Sequence, residues 1–256
     1  MLPAKAHNYV QATDTFKMQN IQINTGVIRA FDCYREAWDM IKPQFGMILA
    51  VYFIAMLIGG AVGIIMGALM CGLYLCLFDL QEGREIKIDR IFNGFQYFLP
   101  SLLVMLVAMA PIIVMFLLIY LPIIGIAIAG SKMDESEVIP FIVVAVIIEI
   151  IFAILMVCFH TLIMFAFPLI VDKKLSAFQA MRTSAKAVWM NLGGVASLFG
   201  VGFLVSFAGL MLFCVGIYLA MPLVLAAQVV AYRKIFPGSL DPKFTAPPPP
   251  GMYQGI

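Results

Sequence analysis

Long apolar blocks alternate with short polar segments along this chain, and their lengths predict membrane-spanning helices. Residues 45–78 can hold two short spans, with Gly59-Gly60 as the expected turn, because one span needs about 20 residues. Residues 99–130 and 138–171 each predict one long helix that is tilted, kinked or projects beyond a hydrocarbon core of about 30 Å. Residues 192–232 predict two more spans, with a break near residues 214–216. The pattern therefore predicts six spans.

Three short amphipathic segments precede the odd-numbered spans and predict helices that lie in the membrane interface. Apolar positions recur at helical spacing in residues 27–41, 88–98 and 176–189. Trp38 and Trp189 fall near the ends of two of these segments, where an aromatic belt anchors a protein at the interface. The expected fold is all-α, with six transmembrane helices in three repeats, each a cytoplasmic interfacial helix followed by two spans.

The amphipathic pattern also predicts which side chains of these segments contact lipid. The expected lipid-facing residues are Val27, Ile28, Phe31, Tyr34, Trp38 and Ile41 in the first segment, Ile91, Phe92, Phe95 and Phe98 in the second, and Phe178, Met181, Ala185, Val188 and Trp189 in the third. Asp89 and Ser176 are the expected N-caps of the second and third helices.

The membrane domain is expected at residues 24–236, in units 24–80, 81–171 and 172–236. A polar N-terminal extension, 1–23, precedes it. A proline-rich tail, 237–256, follows it and favours extended polyproline conformation. The four prolines at 247–250 make this tail either a solvated end or a docking segment for a partner.

Positive charges indicate the orientation of the spans, because cytoplasmic loops carry an excess of Lys and Arg. With six spans and both termini inside, fifteen of the 16 Lys and Arg residues lie on the cytoplasmic side. Only Lys132, in an acidic loop at residues 131–137, lies outside. The distribution predicts cytoplasmic N- and C-termini.

Composition excludes several classes of protein. The chain is 63% hydrophobic and 12% charged, whereas soluble domains are about 45–50% apolar and about 25% charged. A net charge of +2 gives no reason to expect a nucleic-acid partner. The five cysteines lack disulfide or metal-site spacing. The polar N-terminal residues predict no signal peptide, so we expect the first span to act as an uncleaved insertion signal.

One stretch resembles a known group of proteins. The end of a span, from Gly72-Leu, a turn at Gly83-Arg-Glu and a helix start at Asp89-Arg-Ile-Phe-Asn-Gly-Phe are similar to uncharacterised bacterial six-span inner-membrane proteins. These are related to the membrane domain attached to some glycerophosphodiester phosphodiesterases. Segments 168–181 and 216–236 carry further similarity. The resemblance implies a fold and a bacterial inner membrane, but it brings no activity or catalytic residue.

Two ionisable residues within spans are candidates for function, because a charge in the bilayer is costly. Glu149 lies in the middle of the fourth span, and His160 follows eleven residues later on nearly the same face. They could line a polar track for protons or cations. In the structural alternative, Glu149 is protonated or hydrogen-bonded to a neighbouring span, and His160 and Thr161 satisfy a helix contact.

Glycines and prolines predict packing and bending. Gly59, Gly63 and Gly67 are spaced for the close approach of another helix. Three prolines spaced by eleven, Pro100, Pro111 and Pro122, predict a third span bent along one face, as a static kink or a gating hinge.

The sequence favours a non-catalytic integral membrane protein that acts as an accessory or scaffold subunit of a larger membrane complex. It carries no recognisable nucleophile, metal-protease or phosphate-loop motif, and we expect no cofactor or metal. The expected partners are membrane lipids and a protein of the same complex. The alternatives are a small transporter or channel that uses Glu149 and His160, and a lipid-binding or lipid-handling protein.

Overall fold

The computed structural model describes residues 21–129, 135–211 and 215–237, and the described part of the chain is helical, without strands. Most of the N-terminal extension and of the proline-rich tail, the start of the acidic loop, and residues 212–214 lie outside the described residues. The α-helices are α1 (Ala30–Ile41), α2 (Phe45–Ala61), α3 (Met66–Gln81), α4 (Phe98–Ala129), α5 (Glu135–Ile163), α6 (Ala166–Lys173), α7 (Ala177–Met190), α8 (Leu192–Met211) and α9 (Val215–Ile235). The 3₁₀ helices are Lys42–Gln44, Gly63–Ile65 and Ile88–Tyr97.

Within the described residues, six helices are long and apolar enough to cross a membrane, as the hydrophobic blocks predict. They indicate a multi-pass membrane protein. The first block divides into two spans, but the first helix continues through Gly59-Gly60 to Ala61. The turn comes at Val62 and the short 3₁₀ helix Gly63–Ile65, slightly later than the glycine pair suggested.

The fourth span is interrupted between α5 and α6, at Met164 and Phe165. Pro168 explains the break, because proline has no N–H to bond the carbonyl of Met164 and its ring clashes with that carbonyl. The fully buried Ser184 of α7 bridges the gap. Its hydroxyl donates to the Leu162 carbonyl at 2.7 Å and accepts from the Phe165 N–H at 3.1 Å. The kink predicted for this block is therefore a local break that a neighbouring helix stabilises.

Buried side chains concentrate where α3, α6 and α9 end, a region we call the charged end because Asp79, Asp172 and Arg233 lie there. In the most apolar stretch of α3, 67% of residues are buried, against 6% in the span that contains α4 and 0% in the span that contains α5. The α4–α5 hairpin therefore extends away from a core formed by the other spans.

Helix α1 forms within the predicted segment, but the face that packs on protein coincides only in part with the expected apolar stripe, of which Tyr34 and Ile41 are buried. Its buried side is built from Ala30, Cys33, Ala37 and Ile41, together with Tyr34, and it contacts α8 and α9. Small residues permit this close approach. Phe31 and Trp38, at the centre of the expected lipid-facing stripe, remain exposed.

Helix α7, like α1, has one face buried against protein and aromatic residues that are exposed. Ser176 forms a capping box with Gln179, which confirms the predicted start of the helix. Phe178 and Trp189 are exposed as expected, but Val188 is fully buried, so its assignment to the lipid-facing side is wrong. The buried face consists of Ala177, Ala180, Thr183, Ser184, Ala187 and Val188.

The middle segment is a 3₁₀ helix instead of an α-helix, and Lys87, not Asp89, is its N-cap residue. At three residues per turn, Ile91 and Gly94 fall on one face, and this face packs against α3. Phe92 and Phe95 are exposed. Part of the expected apolar stripe thus packs on α3, and part of it remains exposed.

Two glycines allow this 3₁₀ helix to lie directly on α3. A Cβ added at Gly72 would overlap the backbone of Ile91, and one added at Gly94 would overlap the backbone of Ala68 and Gly72. The two backbones are therefore in contact, which only glycine permits at these positions. Gly72 and Gly94 lie near the two ends of the stretch that carries the family resemblance.

Each short helix packs mainly on spans of the preceding unit, and the short helix of the first unit packs on spans of the last unit. The 3₁₀ helix Ile88–Tyr97 contacts α3, and α7 contacts α5 and α6. Helix α1, at the start of the chain, contacts α9 at its end. Two polar contacts add to this closure. Before α1, the Asn24 N–H donates to the Ile235 carbonyl at 2.9 Å, and within α1 a Glu36 carboxylate oxygen lies 2.7 Å from the Lys234 ammonium.

We predict that Gly72→Ala strongly destabilises the protein. The new methyl group has no space beside Ile91, and overpacking typically costs about 1–3 kcal/mol and sometimes more. The matched control is Gly60→Ala in α2, where an added Cβ meets nothing within 4 Å. The free energy of unfolding in mild detergent should fall for the first variant and remain equal or rise for the second. Equal stability of the two variants would contradict the backbone contact.

Candidate functional site

Glu149 lies in α5, within the hairpin that extends from the core, and its side chain is half-buried. Its immediate neighbours Ile148 and Ile150 are both exposed. Among the described residues, no ion pair or side-chain hydrogen bond involves Glu149. Glu149 thus lies in a helix that is long and apolar enough to cross a membrane, and the described residues supply no partner for its carboxyl group.

His160 and Thr161 are both bonded to their own helix. The His160 Nδ1 atom lies 2.9 Å from the Met156 carbonyl, and the Thr161 hydroxyl donates to the Val157 carbonyl at 2.8 Å. Such bonds satisfy polar side chains within a span without a second helix. They give a structural role to these groups, and they do not join His160 to Glu149.

The predicted packing glycines differ in their surroundings. A Cβ added at Gly67 would lie 2.7 Å from the Ser101 carbonyl oxygen, so this glycine permits close approach of α4. Gly59 contacts the Met66 side chain across the turn, whereas an added Cβ at Gly63 meets nothing within 4 Å. The three do not form one ridge, because α2 ends at Ala61.

The three predicted prolines lie in α4, and the two tryptophans are exposed. Pro111 and Pro122 lie inside the continuous helix α4. Pro100 falls in its first turn, where no intrahelical hydrogen bond is lost. Trp38 is 43% exposed and packs on Phe45 with ring centroids 5.6 Å apart. Trp189 is 72% exposed.

Tyr232 is the residue at which the ends of three spans meet. It is fully buried, and its ring packs against Phe78 of α3, Phe165 beside α6, and Phe236 after α9, with centroids 5.6, 6.3 and 5.0 Å away. Its hydroxyl donates to the Asp172 carboxylate of α6 at 2.7 Å. One side chain thus joins the first, second and third units.

Arg233 repeats these connections through charge. Its guanidinium donates to Asp172 at 2.9 Å and to the Gln81 side chain at 3.3 Å, and it lies 4.5 Å from the centre of the Phe78 ring. Lys173 also lies 3.1 Å from Asp172. Asp172 therefore has both a hydroxyl and cationic partners, which a partly buried carboxylate needs.

Asp79 holds the loop between the first and second units. Its carboxylate is mostly buried, pairs with Arg90 at 2.6 Å, and also pairs with Arg84. The hydrogen bond to Asp79 raises the pKa of the Arg84 guanidinium, which therefore remains charged. Arg84, Lys87 and Arg90 surround a surface cleft of about 410 Å³ with Asp79, Glu85 and Asp89. Three bases and three acids leave this cleft without a net charge.

Sequence reasoning missed these residues. The signal was available: Asp79, Asp172 and Arg233 stand at corresponding places, at the ends of the second, fourth and sixth spans. Residues at equivalent ends of repeated units meet when the units assemble around one axis. Gln228 was also missed because an amide within a span has no charge, although its Oε1 atom accepts a hydrogen bond from Tyr74 at 3.0 Å.

Comparison with known protein families, characterised proteins and solved structures finds no match to this chain. The geometry is that of a structural junction: rings, ion pairs and backbone contacts hold the spans together.

We predict that Tyr232→Phe destabilises the protein by about 1.5–3 kcal/mol, because a hydrogen bond to a charged group is lost while the ring packing remains. The matched control is Tyr218→Phe, also in α9, whose side chain is 46% exposed. Unfolding in mild detergent measures both. A Tyr232→Phe variant as stable as Tyr218→Phe would show that the Asp172 contact contributes nothing.

Proposed function

We propose that this protein is a non-catalytic subunit of a larger membrane complex, and that the α4–α5 hairpin is the surface that binds its partner protein. The observation that carries the proposal is the contrast between a tightly joined body and an apolar hairpin that has few buried residues. A structural junction with an attached binding surface is the arrangement expected of an accessory or scaffold subunit.

The length of the hairpin supports the proposal. At 1.5 Å per residue, the 32 residues of α4 extend about 48 Å and the 29 residues of α5 about 43 Å. Both exceed a hydrocarbon core of about 30 Å. Such helices must tilt strongly or present apolar surface outside the lipid, and a partner protein can cover that surface.

Glu149 supports it further. Ionisable groups within spans usually pair with another polar group, and no such group contacts Glu149 among the described residues. A polar or basic side chain of a partner helix would provide the missing contact. The transporter alternative has weaker support, because the hydrogen bonds of His160 and Thr161 lie within their own helix.

The membrane arrangement is part of the same proposal. The charged end would face the cytoplasm of a bacterial inner membrane, with both termini on that side. Helices α1 and α7 and the 3₁₀ helix would lie in the interface, since each presents exposed aromatic residues beside exposed charges. The three units would form a pseudo-threefold repeat, and the cyclic packing of the short helices favours this. The bacterial family remains a proposal based on resemblance.

We predict that a photoreactive amino acid at Ile113 or Ile150, both exposed on the hairpin, cross-links to one partner protein in native membranes. The matched control is Leu57, which is 73% exposed on α2 and should react with lipid alone. Glu149→Leu, combined with the probe at Ile113, should reduce the partner adduct. Identical adducts from hairpin and control positions would contradict the proposal.

A further inference from the structure

A cavity of about 240 Å³ lies between α1, α8 and α9. Tyr34 of α1 borders it, and Met164 from the break between α5 and α6 contributes to it. The remaining lining comes from α8 and α9 and includes Leu198, Gly202, Ser206, Val224 and Gln228.

The cavity is elongated along the helices. Leu198, Gly202 and Ser206 are spaced by four on one face of α8, which corresponds to about 12 Å along the axis. Met221, Val224 and Gln228 cover a similar length of α9. Ligand pockets for compact small molecules are typically about 300–1,000 Å³. This smaller and elongated space suits a single extended hydrocarbon chain.

Three polar groups border the otherwise apolar space. Gln228 uses its Oε1 atom to accept from the Tyr74 hydroxyl, which leaves its NH₂ group to donate. Among the described residues, this NH₂ group and the hydroxyls of Tyr34 and Ser206 have no hydrogen-bond partner, yet none of these atoms is fully buried. Donors in an apolar medium need an acceptor.

The depth of Gln228 in the membrane and the uncharged lining of the cavity restrict the chemical group that can accept these hydrogen bonds. Gln228 precedes Arg233 by five residues, about 7–8 Å along α9, close to the boundary between headgroups and hydrocarbon. No Lys, Arg, Asp or Glu is present among the lining residues that the structure describes. A carboxylate would therefore lack a cation, whereas a neutral ester carbonyl needs only the available donors.

We propose that this cavity binds a diacyl glycerolipid of the leaflet at the charged end, with one acyl chain between α8 and α9 and its ester carbonyl accepting from Gln228. The headgroup lies outside the cavity and does not determine binding. The occupant is a lipid of the surrounding bilayer that is retained at one specific position.

A larger side chain at Gly202 would fill the cavity. A Cβ added there would lie 2.6 Å from the Tyr34 hydroxyl oxygen, so a larger side chain must occupy the space beside Tyr34. Gly200 lies on the same helix, and a Cβ added there meets nothing within 4 Å. The pair Gly202→Leu and Gly200→Leu therefore separates blockage of the cavity from a general effect of leucine in α8.

The experiment is native mass spectrometry of the full chain after incubation with equal amounts of two phosphatidylglycerols, one with ester-linked and one with ether-linked chains of equal length. We expect one lipid to be retained per chain, with the diester form favoured by about fivefold, because one hydrogen bond contributes about that factor. Gln228→Met should reduce this preference to about one, while Tyr218→Phe, on the same helix but outside the described lining, should preserve it. Gly202→Leu should lose the bound lipid, and Gly200→Leu should retain it.

Equal retention of the two lipids by the wild type would overturn the proposal, as would a free fatty acid or an ester-free lipid as the retained species, or no retained lipid. If Gly202→Leu fails to fold, the comparison of Gln228→Met with Tyr218→Phe still decides. These results do not depend on the hairpin cross-links, so the lipid site and the partner proposal can fail separately.

Discussion

The contact between Tyr232 and Asp172 connects parts of the chain that are 60 residues apart. In a membrane, burial of apolar surface gives little reason for one span to prefer another span over lipid, so shape and polar contacts must provide specificity. Tyr232 supplies both, because its ring packs among Phe78, Phe165 and Phe236 while its hydroxyl bonds a carboxylate. Arg233 joins the same elements through charge. The buried ends of α3, α6 and α9 meet at this junction.

Short helices stabilise the junction from outside. The contact of Gly72 with the backbone of the 3₁₀ helix, and the burial of small residues on α1 and α7, bring each short helix close to a neighbouring unit. Helix α1 is the closing element, because it brings the start of the membrane domain to its end. In the described part of the α4–α5 hairpin, few residues of the most apolar stretches are buried, which is why we assign partner binding to it.

The six spans could be predicted because hydropathy and length dominate the choice between membrane and water. The side of each short helix that faces protein could not. In α1 the protein-facing side consists largely of small residues such as Ala30, Cys33 and Ala37, while the more hydrophobic Phe31 and Trp38 are exposed. Hydrophobicity does not distinguish a protein neighbour from a lipid neighbour. The 3₁₀ period of residues 88–97 was also hidden, because the glycine that requires close contact, Gly94, has no side chain to mark a face. For the candidate site, charge within a span identified Glu149, but the neutral Gln228 gave no comparable signal.

Closure of the chain brings Glu36 of α1 against Lys234 of α9, and this ion pair can be tested directly. Their side-chain atoms lie 2.7 Å apart, within reach of a zero-length carbodiimide cross-link between carboxylate and amine. The unmodified protein, treated in its membrane as a mixture of isotope-labelled and unlabelled chains, should give a peptide that joins the two residues within one chain, and Glu36→Gln should abolish it. Absence of this link, or links formed only between differently labelled chains, would contradict the closed arrangement.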